Sequence, residues 1–215
     1  MTLQTLCKPR PSVFAADRRA TVLSLDTFLK GQVHGKEFFE ENYFTSGMLT
    51  LVDRAFRQLS GNGSGSSVFM LSQAMGGGKT HSMIALGLLA KDPELRKKVL
   101  GDDNPAPNLG RCRVVGFNGR STDAKGGIWG AIAEQLGKAE SFASYVSPLL
   151  SAPGPEAWKQ LLGGDPVIMF LDELPPYLEY AVAVPVGNAD LSVVTTAALA
   201  NLFVAVAEMD NVCLV

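Results

Sequence analysis

Cysteine is scarce in this 215-residue chain. Cys7, Cys112 and Cys213 stand far apart, odd in number and without metal-ligand spacing. That excludes a disulfide scaffold or a cysteine-bound zinc, and a reducing cytoplasm is the expected compartment. An excess of one charge is also missing. A formal net charge of −2 lacks the electrostatic signature of a nucleic-acid binder. The local basic groups Arg18-Arg19, Arg96-Lys97-Lys98, Arg111 and Arg113 are short and read as solvated edges. The N-terminus, Met1 to Pro11, has no apolar core and is no secretory signal. The most apolar run, Leu191 to Met209, carries Ser192, Thr195, Thr196, Asn201 and Glu208, so a core helix capped by Asp190 is expected and no membrane span. Repeats are absent, and the one biased stretch, Gly61 to Ser67, reads as a flexible hinge. What remains, 47% hydrophobic and 19% charged, suffices for one sizeable α/β core.

The glycines are concentrated where chemistry is expected. Val68-Phe69-Met70-Leu71 is apolar and strand-like, and His81 to Lys91 reads as a buried helix. Between them runs Ser72-Gln73-Ala74-Met75-Gly76-Gly77-Gly78-Lys79-Thr80. Strand, glycine turn, Lys-Thr and helix make a phosphate-binding loop, whose N–H groups surround a di- or triphosphate at the positive end of a helix. Gln73, Ala74, Met75, Gly76, Gly77, Gly78, Lys79, Thr80 and His81 are the expected nucleotide-binding residues. Lys79 reaches the β- and γ-phosphates, and Thr80 ligates Mg²⁺. Gln73 stands where the usual pattern has its first glycine, so the loop is a variant, with Gly76 and Gly77 supplying the freedom.

Val167-Ile168-Met169-Phe170-Leu171-Asp172-Glu173 is the second half of the expected site. Five apolar residues without alternation fit a strand buried on both faces of a parallel sheet. The acid pair falls at its carboxyl end, where α/β proteins bind ligands. Asp172 is expected to hold Mg²⁺ and Glu173 to polarise the attacking water. A glutamate directly after the metal aspartate marks the branch that hydrolyses ATP, whose members insert a further strand between the two motifs. Arg111 to Phe117, ending in Asn118, is the candidate for that strand. Asn118 would hydrogen-bond Glu173 and hold it from water, or serve as the turn residue of Asn118-Gly119.

Residues 1–60 read as a helical segment packing on an ATPase core over 61–215. Leu23 to Leu29 and Met48 to Leu59 keep helical spacing, with the aromatic stretch Phe38 to Gly47 between them. There Tyr43 or Phe44 would contact a base or anchor the core. Helices are expected over Ile128 to Leu136, Phe142 to Leu150 and Glu156 to Leu162. Pro175-Pro176 is expected to bar a helix directly after Glu173 and to present Tyr177 and Tyr180 near the site. Asn211 to Val215 begins a strand expected between the phosphate-loop strand and the Asp-Glu strand. The chain is therefore expected to be the front part of a longer protein, truncated before its last strand. The fold class is α/β: a three-layer P-loop NTPase with a mostly parallel sheet ordered 1-4-3-2 and helices on both faces.

Lys8-Pro9-Arg10-Pro11-Ser12-Val13-Phe14, Thr45-Ser46-Gly47-Met48 and Gln73 to Ser82 carry a resemblance. Over Lys8 to about Leu100 the chain resembles the large bacterial and archaeal ATPases that carry a conserved domain of unknown function, often encoded beside DNA methyltransferases in phage-defence islands. In that family the Gln-Ala-Met-Gly-Gly-Gly-Lys-Thr-His string serves as the phosphate loop, so the absent first glycine is shared. The resemblance implies ATP and Mg²⁺ as ligands, other subunits or further copies as partners, and an ATP-driven role in a defence or DNA-modification assembly. The rival expectations are a nucleotide-gated switch or scaffold with little turnover, a DNA-translocating motor and a small-molecule kinase.

Overall fold

The computed structural model describes residues 23–63, 65–72, 76–121, 124, 126–148 and 150–215. Gln73, Ala74 and Met75, the Lys8 to Phe14 string, Cys7 and Arg18-Arg19 lie outside the described residues. Helices α1 (Leu25–Leu29), α2 (Gly35–Glu41) and α3 (Ser46–Leu59) precede the glycine turn, and α4 (Lys79–Lys91) and α5 (Pro93–Leu100) follow it. Strand β1 (Arg113–Asn118) leads to α6 (Gly127–Gln135), α7 (Ala143–Val146) and α8 (Pro155–Leu162). Then come β2 (Val167–Asp172), α9 (Leu174–Val182), the short pair β3 (Pro185–Val186) and β4 (Ala189–Asp190), α10 (Leu191–Ala207) and β5 (Val212–Leu214).

Local chemistry explains where these helices start. The Thr45 hydroxyl accepts from the Met48 N–H at 3.2 Å and caps α3, so the Thr45-Ser46-Gly47-Met48 string is a helix start. Asp92 caps α5 through the Leu95 N–H, with Pro93 at the first helical position. Asp190 caps α10 as expected, accepting from Val193 at 3.0 Å. One expectation fails at α9. This helix begins at Leu174 despite Pro175 and Pro176, because a first-turn proline has no preceding turn to clash with and no N–H to lose. Tyr177 is in consequence fully buried, edge-on to Phe117 at 5.0 Å between ring centroids, and does not face the site. The helix expected over Phe142 to Leu150 is shorter: a 3₁₀ turn at Glu140–Phe142 and then α7.

β1 pairs in parallel with β2, and β2 with β5. Val68 forms a parallel bridge with Leu214, supported by Phe69 N–H to Leu214 O at 2.8 Å and Leu214 N–H to Ser67 O at 2.9 Å. Across the sheet the order is therefore the Val68 segment, β5, β2, β1. That is the 1-4-3-2 order expected from sequence, although the first strand shortens to one bridge and Met70 beyond it is exposed.

Because strand side chains alternate, each strand feeds both faces. Val115, Phe117, Val167, Met169 and Leu214 pack under α6, α8, α9 and α10, around Trp129 and Trp158. Ile168, Phe170 and Cys213 pack on the other face against Phe28, Phe56, Leu59 and Ile84 from α1, α3 and α4. Each such buried aliphatic or phenyl group contributes about 1.5–3 kcal/mol. The sheet is thus covered on both faces.

Lys138 illustrates a polar clamp on this core. Its ammonium donates to the carbonyls of Gln160, Leu161 and Gly163 at 3.1, 2.7 and 3.1 Å, closing the C-terminal end of α8. Lys138→Met removes all three bonds and should lower the unfolding free energy by about 1–3 kcal/mol. A urea titration reads this as a lower midpoint at constant slope.

Candidate functional site

The carboxyl end of β2 and the start of α4 meet. Asp172 is the last residue of β2 and is 9% exposed, and its Oδ2 accepts from the Thr80 hydroxyl at 2.8 Å. Gly78 and Gly76 hold left-handed backbone, at φ 81° and 80°, which glycine adopts without steric cost. A Cβ at either would meet no neighbour, so the requirement there is conformational. Gly78 is the N-cap residue of α4, which presents Lys79 and Thr80 in its first turn. Lys79, Asp172 and Glu173 line one pocket of about 380 Å³, whose apolar side comes from Met83, Leu174 and Phe203. The lysine, the hydroxyl and the acid pair are thus gathered at one end of the sheet, although Lys79 and Asp172 lie far apart in the chain.

Glu173 has an unusual backbone, left-handed at φ 49° and ψ 45°, the one positive φ outside glycine among the described residues. Such a conformation costs of order 1–3 kcal/mol and persists only where the surroundings enforce it. Gly119 is part of that enforcement. Its N–H donates to Asp172 O at 2.8 Å, and a Cβ on it would lie 2.6 Å from the carbonyl carbon of Glu173 and 2.8 Å from Cα of Leu174. Gly119→Ala must therefore displace the Glu173–Leu174 peptide, at a cost of about 1–3 kcal/mol. The expected result is a lower melting temperature together with a shifted Glu173 amide resonance.

Of the two roles read for Asn118, a bond to Glu173 or a turn, the structure shows the turn. Asn118 sits opposite Asp172 in the β1–β2 register, but its Nδ2 donates to Asp26 Oδ2 of α1 at 2.8 Å. Its Oδ1 accepts from the Arg120 N–H at 3.1 Å, which is the turn role. Glu173 is instead taken by the Arg120 guanidinium. The reason is reach: two residues past the strand end, the long arginine side chain meets the acid while the short amide is spent on α1. No pattern in the sequence marks Arg120 for this.

Of the remaining expected residues, His81 lies beside the Phe38 ring, 6.1 Å between centroids, and is not among the pocket-lining residues described. Phe44 stacks on Phe39 at 5.2 Å and serves the core, whereas Tyr43 is exposed. Cys112 and Cys213 are buried, and burial pushes the Cys112 thiol up to about 11 and the Cys213 thiol up as well, so neither is a poised nucleophile. Among the described residues no helix is long and apolar enough to cross a membrane.

The class defined so far is an α/β protein with a parallel sheet, helices on both faces and a polar cluster at the sheet's carboxyl edge. Residues 30–105 match the family model of the DUF499 N-terminal domain. That match spans α2 to α5 and takes in the Thr45 cap, Gly76 to Gly78, Lys79 and Thr80. It stops before β1 and the Asp172-Glu173 strand. No curated protein and no solved structure matches the chain.

Proposed function

We propose that the chain binds ATP with Mg²⁺ and hydrolyses it as a P-loop NTPase of the additional-strand, catalytic-glutamate type. One observation carries the reading: Thr80 and Asp172 in contact at 2.8 Å beside a pocket lined by Lys79 and Glu173. A hydroxyl and a carboxylate are the hard oxygen donors that Mg²⁺ prefers, so these residues fit the ion. When bound, the ion supplies charge neutralisation at the β- and γ-phosphates.

The protein's own groups perform the rest. The first-turn N–H groups of α4 have no intrahelical acceptors and receive phosphate oxygens at the positive helix end. Lys79 adds a cation where charge develops on the β–γ bridge. Glu173 accepts a proton from, and orients, the attacking water. Such phosphoryl transfer depends on positioning and electrostatics, which the buried acid-hydroxyl contact and the enforced Glu173 backbone favour.

A second reading, a nucleotide-gated switch with little turnover, draws on the ion pair between Arg120 and Glu173. A carboxylate engaged by a guanidinium is held from the attacking water until it is released. The wider setting, an ATP-driven part of a phage-defence or DNA-modification assembly acting with other subunits, rests on the resemblance over Lys8 to Leu100, and a cytoplasmic place rests on the scarce, unpaired cysteines. The deciding experiment is calorimetric titration with ATP, with and without Mg²⁺, followed by phosphate release. Magnesium-dependent uptake with steady release supports the enzyme, uptake with a single turnover supports the switch, and no uptake overturns both.

A further inference from the structure

A second pocket, of about 480 Å³, opens at the other end of β1, lined by Lys91, Arg111, Arg113, Val114, Gln135 and Asp165. Lys91 ends α4, and Arg111 and Arg113 flank the amino-terminal start of β1, so this pocket lies away from the Asp172 end of the sheet. Three cations face one carboxylate there. Among the described residues no carboxylate stands within ion-pair distance of Lys91, Arg111 or Arg113. The Lys91 ammonium rests 4.3 Å over the Phe28 ring, and Arg113 donates to Leu136 O at 2.5 Å. Arg111 is exposed, and among the described residues no hydrogen bond or ion pair engages its side chain.

Backbone geometry adds a donor. The Arg113 N–H points toward β2, to Pro166 O at 2.8 Å, so Val114 and Gly116 direct theirs to the open edge. Gln135 occupies the Gly116 position completely, accepting from its N–H at 2.9 Å and donating to its carbonyl at 2.8 Å. That clamp blocks the edge against a further strand. It leaves the Val114 N–H, two residues earlier, directed into the basic pocket.

We propose that Lys91, Arg111 and the Val114 N–H form a binding site for a phosphate-class oxyanion, either free or as a monoester, separate from the candidate nucleotide pocket. Cationic side chains and a strand-edge amide offer donors without a matching acceptor, and a compact dianion supplies it. Burial first, and then the Arg111 charge, hold the Lys91 ammonium below the usual lysine range. An anion between the two cations would raise it again, the cations of the lining outweighing the repulsion from the one Asp165 carboxylate.

The test is NMR titration of inorganic phosphate, and separately of a phosphate monoester, into the Lys79→Ala variant, which silences the expected nucleotide site. Saturable shifts of the Val114 amide and the Lys91 ε-carbon are expected, with a raised Lys91 titration midpoint. Lys91→Ala or Arg111→Glu should weaken binding by about tenfold or more, the loss of one charge-assisted bond. Shifts that survive Arg111→Glu, or no saturable response to either probe, overturn the site. Both probes binding equally assigns the shared phosphate chemistry, and a monoester preference assigns an esterified ligand. Because the variant lacks Lys79, failure here leaves the nucleotide reading untouched, and failure of that reading leaves this one standing.

Discussion

Lys79→Ala is expected to abolish measurable ATP uptake. The ammonium would form charge-assisted bonds to both terminal phosphates, each worth about 1.5–3 kcal/mol. Losing two such bonds weakens binding by about a hundredfold at least. The pocket keeps its shape, because Gly78 starts α4 and the Thr80–Asp172 contact does not involve this side chain. A thermal melt without nucleotide separates loss of uptake from loss of fold. The stabilisation by ATP expected of the parent chain should vanish in the variant, since a ligand raises stability only by its affinity for the folded state. Uptake within a few-fold of the parent would remove Lys79 from the site and leave the glycine turn without its assigned purpose.

The residues differ in how openly the sequence declares them. β2 is legible because five uninterrupted apolar residues require burial on both sides, and the acids that follow must fall at its open end. Gly78 and Thr80 are legible because a left-handed N-cap and a first-turn hydroxyl are consequences of local geometry. The Asp190 cap is legible for the same reason, whereas Thr45 stands in the sequence only as part of a family string and its cap is seen in the structure. Contacts between segments distant in the chain were not. Asn118 carries a turn and a tie to Asp26 at once, and nothing near it in sequence indicates that α1 supplies the acceptor. Arg120 reaches Glu173 only because Gly119 lets the two backbones touch. The start of α9 was misread by weighing what proline does to its predecessor above its tolerance in a first turn. Strand order followed from the type of sheet that the glycine turn and the Asp-Glu strand imply, whereas the length of the first strand was not legible. Its pairing depends on Leu214, about two thirds of the chain away.

Glu173→Gln gives the other large effect. The amide keeps the size and the N-cap position of the acid but cannot take a proton, so ATP uptake should persist while turnover falls by about 10²–10⁴. Single-turnover phosphate release reads this directly, and undiminished release would exclude Glu173 as the base. Arg120 sets the companion expectation. Its pair with Glu173 is largely exposed, at 72% and 42% of the two side chains, and solvent screens such pairs strongly. A hold that weak is broken by modest binding energy, so Arg120 delays the acid without disabling it. Arg120→Ala should leave ATP affinity unchanged and raise turnover by no more than about fivefold. A large fall in turnover would instead make Arg120 part of the machinery, oriented by Glu173 toward the phosphates. The double variant separates the cases. With Glu173 already changed to Gln, removing Arg120 should change nothing further if its effect runs only through the acid.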